Sequence, residues 1–361
     1  MEIGIVGTPM SGKTTLFNLL THAEAETGFG AGRKKANLGI TWVPDPRLDR
    51  LSEIWSPKKT TPATIRYVDV AGVEKSDAKE GISAETMSSL KNTEALLAVV
   101  RCFEDEQVPH PEGSVDPLRD LSLLQDEFFL SDLIIVENRL ERIAKQIKTK
   151  REKRLDLEHA LLERCRESLE AEQPLRDLES SAEEARLLKG FQFLTRKPLV
   201  IALNLGEDDL SKAAERLAPV VERWAGPQVA PTYLCATIEQ EISELSATEA
   251  QAFLDDLGID CSATDRMIRT SYDLLGLHSF FTMGEDECRA WTIRRGTKAS
   301  QAAGTIHSDL ERGFIRAEAV HYDEFVAVGS LSACRDKGLL RLEGKEYVVQ
   351  DGDILNIRFS V

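Results

Sequence analysis

Gly7-Thr8-Pro9-Met10-Ser11-Gly12-Lys13-Thr14 follows the apolar run MEIGIV and precedes TLFNLL. The spacing is G-x-x-x-x-G-K-[ST], and each fixed type has a task. The glycines let backbone N–H groups turn inward on a phosphate. A helix opening at the loop aims its N-terminus at the same anion. Lys13 has the reach for β- and γ-phosphates, and the Thr14 hydroxyl is placed for Mg²⁺. Thr8, Pro9, Met10, Ser11, Gly12 and Thr15 complete the loop around the phosphates. A structural glycine turn is the alternative, but it would not need a strand before it and a helix after it, and the pattern supplies both.

Two further loops fit a nucleotide. Asp69 closes TIRYVDVAG (64–72), where a carboxylate would hold Mg²⁺ and the Gly72 backbone would approach a γ-phosphate. Asn204-Leu205-Gly206-Glu207 closes KPLVIALNL, in the place of the N-K-x-D base motif of a GTPase. Asn204 can bond a purine N7 edge. Leu205 replaces the lysine, and Glu207 replaces the aspartate that accepts from guanine N1 and N2, with its carboxylate displaced by one methylene. Cys235-Ala236-Thr237 takes the place of the second base loop. Both ATP and GTP stay open on these residues.

The elements that must position these loops are short apolar runs: EIGIV (2–6), TIRYVDVAG, ALLAVVRCF (95–103), KPLVIALNL (197–205) and PTYLCAT (231–237). Continuous apolar runs alternating with helical segments predict a mostly parallel sheet covered on both faces, an α/β fold. Between 129 and 190, Leu133, Val136, Leu140, Ile143 and Ile147 recur every three or four residues. Leu155, Leu162, Cys165 and Leu169 continue the stripe. This predicts an inserted antiparallel helical hairpin. Beyond 277, CRAWTIRRG, FIRAEAVHY, KEYVVQDGD and DILNIRFSV alternate like strands, with one helix in QAAGTIHSDLERGF. The expected division is a nucleotide domain of 1–128 and 191–277, a hairpin of 129–190 and a small β-rich domain of 278–361.

The chain has 361 residues and a formal net charge of −16, which argues against coating nucleic acid and against DNA as a partner. One local basic patch is compatible with that balance. KTKREKR (148–154) is the candidate, either a solvated hairpin tip or an RNA or ribosome contact. The six cysteines form no C-x-x-C pair, and no run approaches the ~20 apolar residues of a membrane span. A cytoplasmic monomer with reduced thiols and no membrane contact is expected.

These motifs resemble the YchF family of P-loop NTPases, a branch of the Obg-like translation-factor class, over essentially the full length. VPDPRLDRL, PATIRYVDVAGV, VVRCFED, VDPLRD and FLTRKPLVIALNLGE carry the likeness. RAWTIRRGTKASQAAGTIHSDLERGFIRAE and RLEGKEYVVQDGDILNIRFSV resemble its TGS domain, a β-grasp (ubiquitin-like) fold. The resemblance implies a G domain, an inserted coiled-coil arm, a TGS domain and association with ribosomes. Its N-x-x-E motif goes with ATP over GTP, and Glu207 matches it. His110, in VPHPEGSVDP, matches a family loop histidine that serves to orient water; a surface histidine is the alternative.

The chain departs from the family at three places. Met10 and Ser11 stand for Asn and Val in the phosphate loop, and potassium activation is not expected without that Asn. GFGAGRKKA (28–36) replaces the switch I motif, with Arg33 near the metal-binding Thr. Arg33 is either a built-in arginine finger or part of a solvated loop, and the solvated loop is expected. VEKSDAKEGISAET holds a single glycine in switch II, and Val73 takes the place of a water-orienting Gln. A slow Mg²⁺-dependent ATPase acting with the ribosome is the expected function. A nucleotide-gated binding module and a GTP-specific switch are the alternatives.

Overall fold

The computed structural model describes residues 1–23, 25, 37–70, 83–149 and 152–360. Arg33, Gly72 and Val73 lie outside the described residues, as do 150 and 151 of the basic run. In chain order the first elements are β1 (Glu2–Val6), α1 (Lys13–Thr21), β2 (Asn37–Trp42), α2 (Pro46–Trp55), β3 (Lys59–Thr61), β4 (Thr64–Asp69), α3 (Ala84–Asn92) and β5 (Ala95–Cys102). Then come α4 (Pro117–Thr149), α5 (Lys153–Glu170), α6 (Ala182–Lys189), β6 (Leu199–Leu205), a 3₁₀ turn (Glu207–Lys212), α7 (Ala213–Trp224), β7 (Val229–Leu234), α8 (Ala236–Glu244), α9 (Ala247–Asp256) and α10 (Ala263–Leu274).

One six-stranded sheet runs β2-β4-β1-β5-β6-β7, with β4, β1, β5, β6 and β7 parallel. All residues of β5 and β6 are buried, as continuous apolar runs require of central strands covered on both faces. Every loop singled out for nucleotide chemistry leaves the carboxyl end of one of these strands, where open α/β sheets bind ligands.

The hairpin is α4 packed against α5. Val136, Leu140 and Ile143 meet Leu161, Leu162, Cys165 and Leu169 in one cluster, flanked by Leu133, Ile147 and Leu155. Leu162 is fully buried there, and a Leu→Ala change at such a site costs about 2–5 kcal/mol. The helix starts at Pro117, so its first turns belong to the sheet's cover. Leu121, Leu124 and Phe128 pack with β5 and β6 residues. Asp132 fixes the junction: its carboxylate accepts from the Leu194 and Thr195 amides at 2.9 and 2.8 Å and from the Thr195 hydroxyl at 2.8 Å. Burial pushes this carboxyl above the ordinary aspartate range, against the pull of those three donors.

The remaining elements are β8 (Leu277–Met283), β9 (Glu287–Arg294), α11 (Ala299–Ile306), α12 (Ser308–Arg312), β10 (Phe314–His321), α13 (Tyr322–Val328), α14 (Leu331–Asp336), β11 (Arg341–Glu343) and β12 (Asp353–Phe359). They build a second six-stranded sheet, β11-β10-β12-β8-β9-β3. Ala299, Ala302 and Ala303 of α11 lie on Phe280, Ile293, Phe314 and Leu355, the helix-on-sheet core of a β-grasp fold. The expected single helix over QAAGTIHSDLERGF is interrupted at His307, whose φ of −162° is extended. KEYVVQDGD forms no strand: only Val348 bridges to Lys298, while the buried Asp353 carboxylate accepts from the Gln350 amide and the Tyr347 hydroxyl and curls the segment.

The chain divides into two compact units, Met1–Gly39 with Arg66–Thr264, and Ile40–Ile65 with Asp265–Val361. Residues 40–65, expected within the nucleotide domain, therefore group with the C-terminal unit, although the ends of the stretch, in β2 and β4, pair in the first sheet. The reason is backbone pairing, since Lys59, Thr60 and Thr61 run parallel to Glu287, Cys288 and Arg289.

Candidate nucleotide site

The phosphate loop joins β1 to α1 with two glycines that only glycine could supply. A Cβ on Gly7 would stand 2.2 Å from the Val99 carbonyl. Gly12 has φ +93°, and its Cβ would stand 2.4 Å from Asn204 Nδ2. Gly12 also caps α1 with no side-chain hydrogen bond, and the first turn holds no acid. No side chain caps the first turn, and a helix N-terminus of that kind suits an anion. The Thr8 and Ser11 hydroxyls are buried in the same loop with no partner among the described residues. Lys13 is buried, and its ammonium lies 2.7 Å from the Thr8 carbonyl, folded along the loop. Met10 is the strained position, with φ +59°. Pro9 and Thr15 are half-buried beside it.

The Thr14 hydroxyl donates to Asp69 Oδ2 across 3.1 Å, and Asn37 Nδ2 approaches the same oxygen at 3.5 Å. Asp69 is 1% exposed at the end of β4. A hydroxyl and one carboxylate beside a phosphate loop are the hard oxygen donors that Mg²⁺ uses when phosphates complete its shell. The residues present fit that ion.

Asn204 ends β6 and is 3% exposed. Its Nδ2 donates to the Ser11 carbonyl at 3.1 Å, and its Oδ1 accepts from the Ala236 amide at 3.2 Å. It therefore ties the phosphate loop to the CAT loop. One N–H of its two remains for a base. Leu205 does not face that space: its side chain is in the core of the sheet. Glu207 and Thr237 are exposed, while Cys235 is buried with Sγ 3.1 Å from Thr237 Oγ1. Burial pushes the thiol of Cys102, on β5 in register with Leu205, up to about 12, so it is no nucleophile.

His110 is not a surface histidine. Its side chain is 2% exposed, and Nε2 meets Asp120 Oδ2 at 2.9 Å. The Glu112 amide donates to Nδ1 at 3.1 Å, which leaves the proton on Nε2, shared with Asp120. Arg119 holds the other Asp120 oxygen at 2.8–3.0 Å. Both ring nitrogens are thus engaged within 110–120.

Arg101 and Phe103 have no site role on sequence grounds, although VVRCFED contains both. Arg101 is fully buried on β5, in register with Asn204, with Nε donating to the Phe103 carbonyl at 3.0 Å and the guanidinium 4.6 Å from the Phe103 ring. Phe103 in turn lies beside Gly206, where a Cβ would be 3.6 Å away. A charged residue inside an otherwise apolar strand, VVRCF, is the visible sign of this placement.

Comparison with known proteins places the chain among similar sequences along its whole length. A family model described as "50S ribosome-binding GTPase" matches residues 2–139. Another, YchF-GTPase_C, described as "Protein of unknown function (DUF933)", matches 277–360. The "Ribosome-binding ATPase YchF" of Bacillus subtilis is 43% identical, with all of both chains covered. That of Escherichia coli O157:H7 is 39% identical, covering 100% of this chain and 99% of the other. The Schizosaccharomyces pombe YchF GTPase structure superposes with a TM-score of 0.88 at 32% identity, over 99% of this chain and 97% of that one.

Proposed function

The chain belongs to the YchF family of P-loop NTPases, and from that premise we propose that it binds ATP with Mg²⁺, hydrolyses it slowly and acts with the ribosome in the cytosol. The observation that carries the reading is the meeting of Thr14 and Asp69, 3.1 Å apart, at the mouth of a loop whose helix end is uncapped.

Phosphoryl transfer to water is largely positioning and charge stabilisation. Lys13 and the uncapped N–H groups of α1 take the phosphates. Thr14 and Asp69 hold Mg²⁺, which supplies charge neutralisation when bound. Asn204 reads the purine N7 edge, and Leu205 with Glu207 gives no guanine-specific acceptor in the usual place, which favours ATP. The Gly72 backbone senses the γ-phosphate. His110 orients water only after its loop releases it from Asp120, which accounts for low turnover. A nucleotide-gated binder without hydrolysis is the second reading, favoured by that same His110–Asp120 engagement.

Single-turnover hydrolysis with Mg²⁺ tests the choice. Phosphate release well above the Lys13→Ala background is expected, and none above it would leave the binding module. Calorimetric titration tests the base, since GTP binding far tighter than ATP would overturn the assignment. Pelleting with ribosomes tests the partner.

A further inference from the structure

The distal end of the helical hairpin carries a concentration of charge that the nucleotide site does not use. Residues 142–154 hold seven of the chain's 45 basic residues and one of its 61 acidic residues. α4 is 33 residues long, about 50 Å at 1.5 Å per residue. Its last residues packed with β5 and β6 are near Phe128. Lys148, in the last turn of α4, is therefore about 30 Å further along the helix.

The tip cations differ from those elsewhere on the hairpin. Arg139 makes a two-pronged pair with Glu158 at 2.7 and 2.9 Å, Arg164 pairs with Glu184 at 2.8 Å, and Arg166 pairs with Glu163. Arg142, Lys145, Lys148, Lys153 and Arg154 are all exposed. Among the described residues none of the five has a partner for its charge. Two of them also sit where a helix disfavours them. Lys153 and Arg154 open α5, beside the positive end of its dipole, and Glu152 at the N-cap makes no side-chain bond to that turn. One acid, Asp156, stands in the same first turn against these two cations. An uncapped helix start and five unpaired cations suit a row of phosphates.

We propose that the hairpin tip docks on the phosphate backbone of ribosomal RNA through Arg142, Lys145, Lys148, Lys153 and Arg154. This assignment rests on the ribosome reading and gives that reading its docking surface. An acidic protein gains from this layout: the bulk of its surface repels polyanions, and only the tip is admitted. Recognition is then of RNA shape and charge rather than of base sequence.

The test uses the full chain with all five residues changed to Gln. The variant keeps its fold, because no ion pair among the described residues is broken and relief at the α5 start offsets the loss of Lys148 from the last turn of α4; a nearly unchanged melting temperature checks this. Basal hydrolysis stays unchanged. Pelleting with purified ribosomes at 100 mM KCl weakens at least tenfold. The slope of log affinity against log salt becomes shallower by several units, at roughly 0.7–0.9 for each phosphate no longer neutralised. A photoreactive diazirine side chain at exposed Gln146 cross-links to ribosomal RNA in the wild-type background. Equal affinity and an equal salt slope for the two proteins would overturn the tip assignment while leaving the ribosome reading intact. Cross-links confined to a ribosomal protein would overturn RNA as the target. A wild-type chain that does not pellet at all would remove the ribosome reading and the tip assignment with it.

Discussion

Asn204 and Ser11 are 193 positions apart in sequence and joined by one hydrogen bond, Nδ2 to the Ser11 carbonyl at 3.1 Å. The same side chain takes the Ala236 amide on its other atom. A residue read from sequence as a base contact is therefore also the strut that sets the phosphate loop against the CAT loop.

Removing that strut leaves a buried carbonyl and a buried amide without partners. Asn204→Ala should cost about 1–3 kcal/mol of stability and weaken ATP at least tenfold, since both loops lose their spacing. Asn204→Asp keeps the acceptor for Ala236 but sets a carboxylate against the Ser11 carbonyl, so its ATP binding should be as weak. Thermal denaturation and calorimetric titration measure both. Normal ATP affinity in either variant would mean that the strut is dispensable.

The His110–Asp120 pair gives a second prediction. If release of the imidazole limits water placement, Asp120→Asn loosens the latch and raises the single-turnover rate, whereas His110→Ala lowers it. Asp120→Asn should also destabilise the chain by about 1–3 kcal/mol, since Arg119 loses its charged partner and a buried network is broken. Equal falls in rate for both variants would reduce His110 to a loop anchor.

Met10 occupies the left-handed region at φ +59°, which costs an ordinary L-residue about 1–2 kcal/mol. Asn tolerates that conformation far better. Met10→Asn should therefore stabilise the nucleotide-free protein by about 1 kcal/mol, read as a higher urea midpoint with an unchanged slope. ATP affinity should move less than threefold, because the loop meets phosphate with backbone N–H groups. A lower midpoint would show that the thioether packing outweighs the strain.

The parts of the fold that are legible in the sequence are those whose pattern has one solution. GTPMSGKT, DVAG and NLGE each end an apolar strand, and the α4–α5 seam repeats every three or four residues. The parts that are not legible depend on partners distant in sequence. KTT at 59–61 is short and polar, and only its pairing with β9 makes it a strand. LHSFFTM mixes apolar and polar residues without a period of two, so alternation passes it over, although five of its seven residues are buried in the second sheet. KEYVVQDGD alternates yet curls, because Asp353 takes the Gln350 amide that a strand would have used, and the Tyr347 hydroxyl with it. His110 can be placed in a loop from its prolines, but its burial depends on Asp120, one turn into α4.

His278 supplies a pH signature independent of nucleotide. It is buried on β8 with Nε2 lacking a partner among the described residues. Burial above all lowers its imidazole below the ordinary histidine value, with Asp351 and Asp353 pulling upward and Arg295 and Arg47 pushing the same way as burial. The folded state thus prefers the neutral ring, and the unfolded chain binds the proton first as the pH falls. The stabilisation is fully present above the unfolded value of about 6.5 and is lost as the pH drops through the depressed folded value. In that window its contribution falls by at most about 1.4 kcal/mol per pH unit. His278→Gln cannot titrate, so its unfolding free energy should decline less steeply than that of the wild type between pH 7 and 5. Urea melts at half-unit intervals give both curves. Parallel curves would mean that His278 reaches water in the folded state and is protonated there as readily as in the unfolded chain.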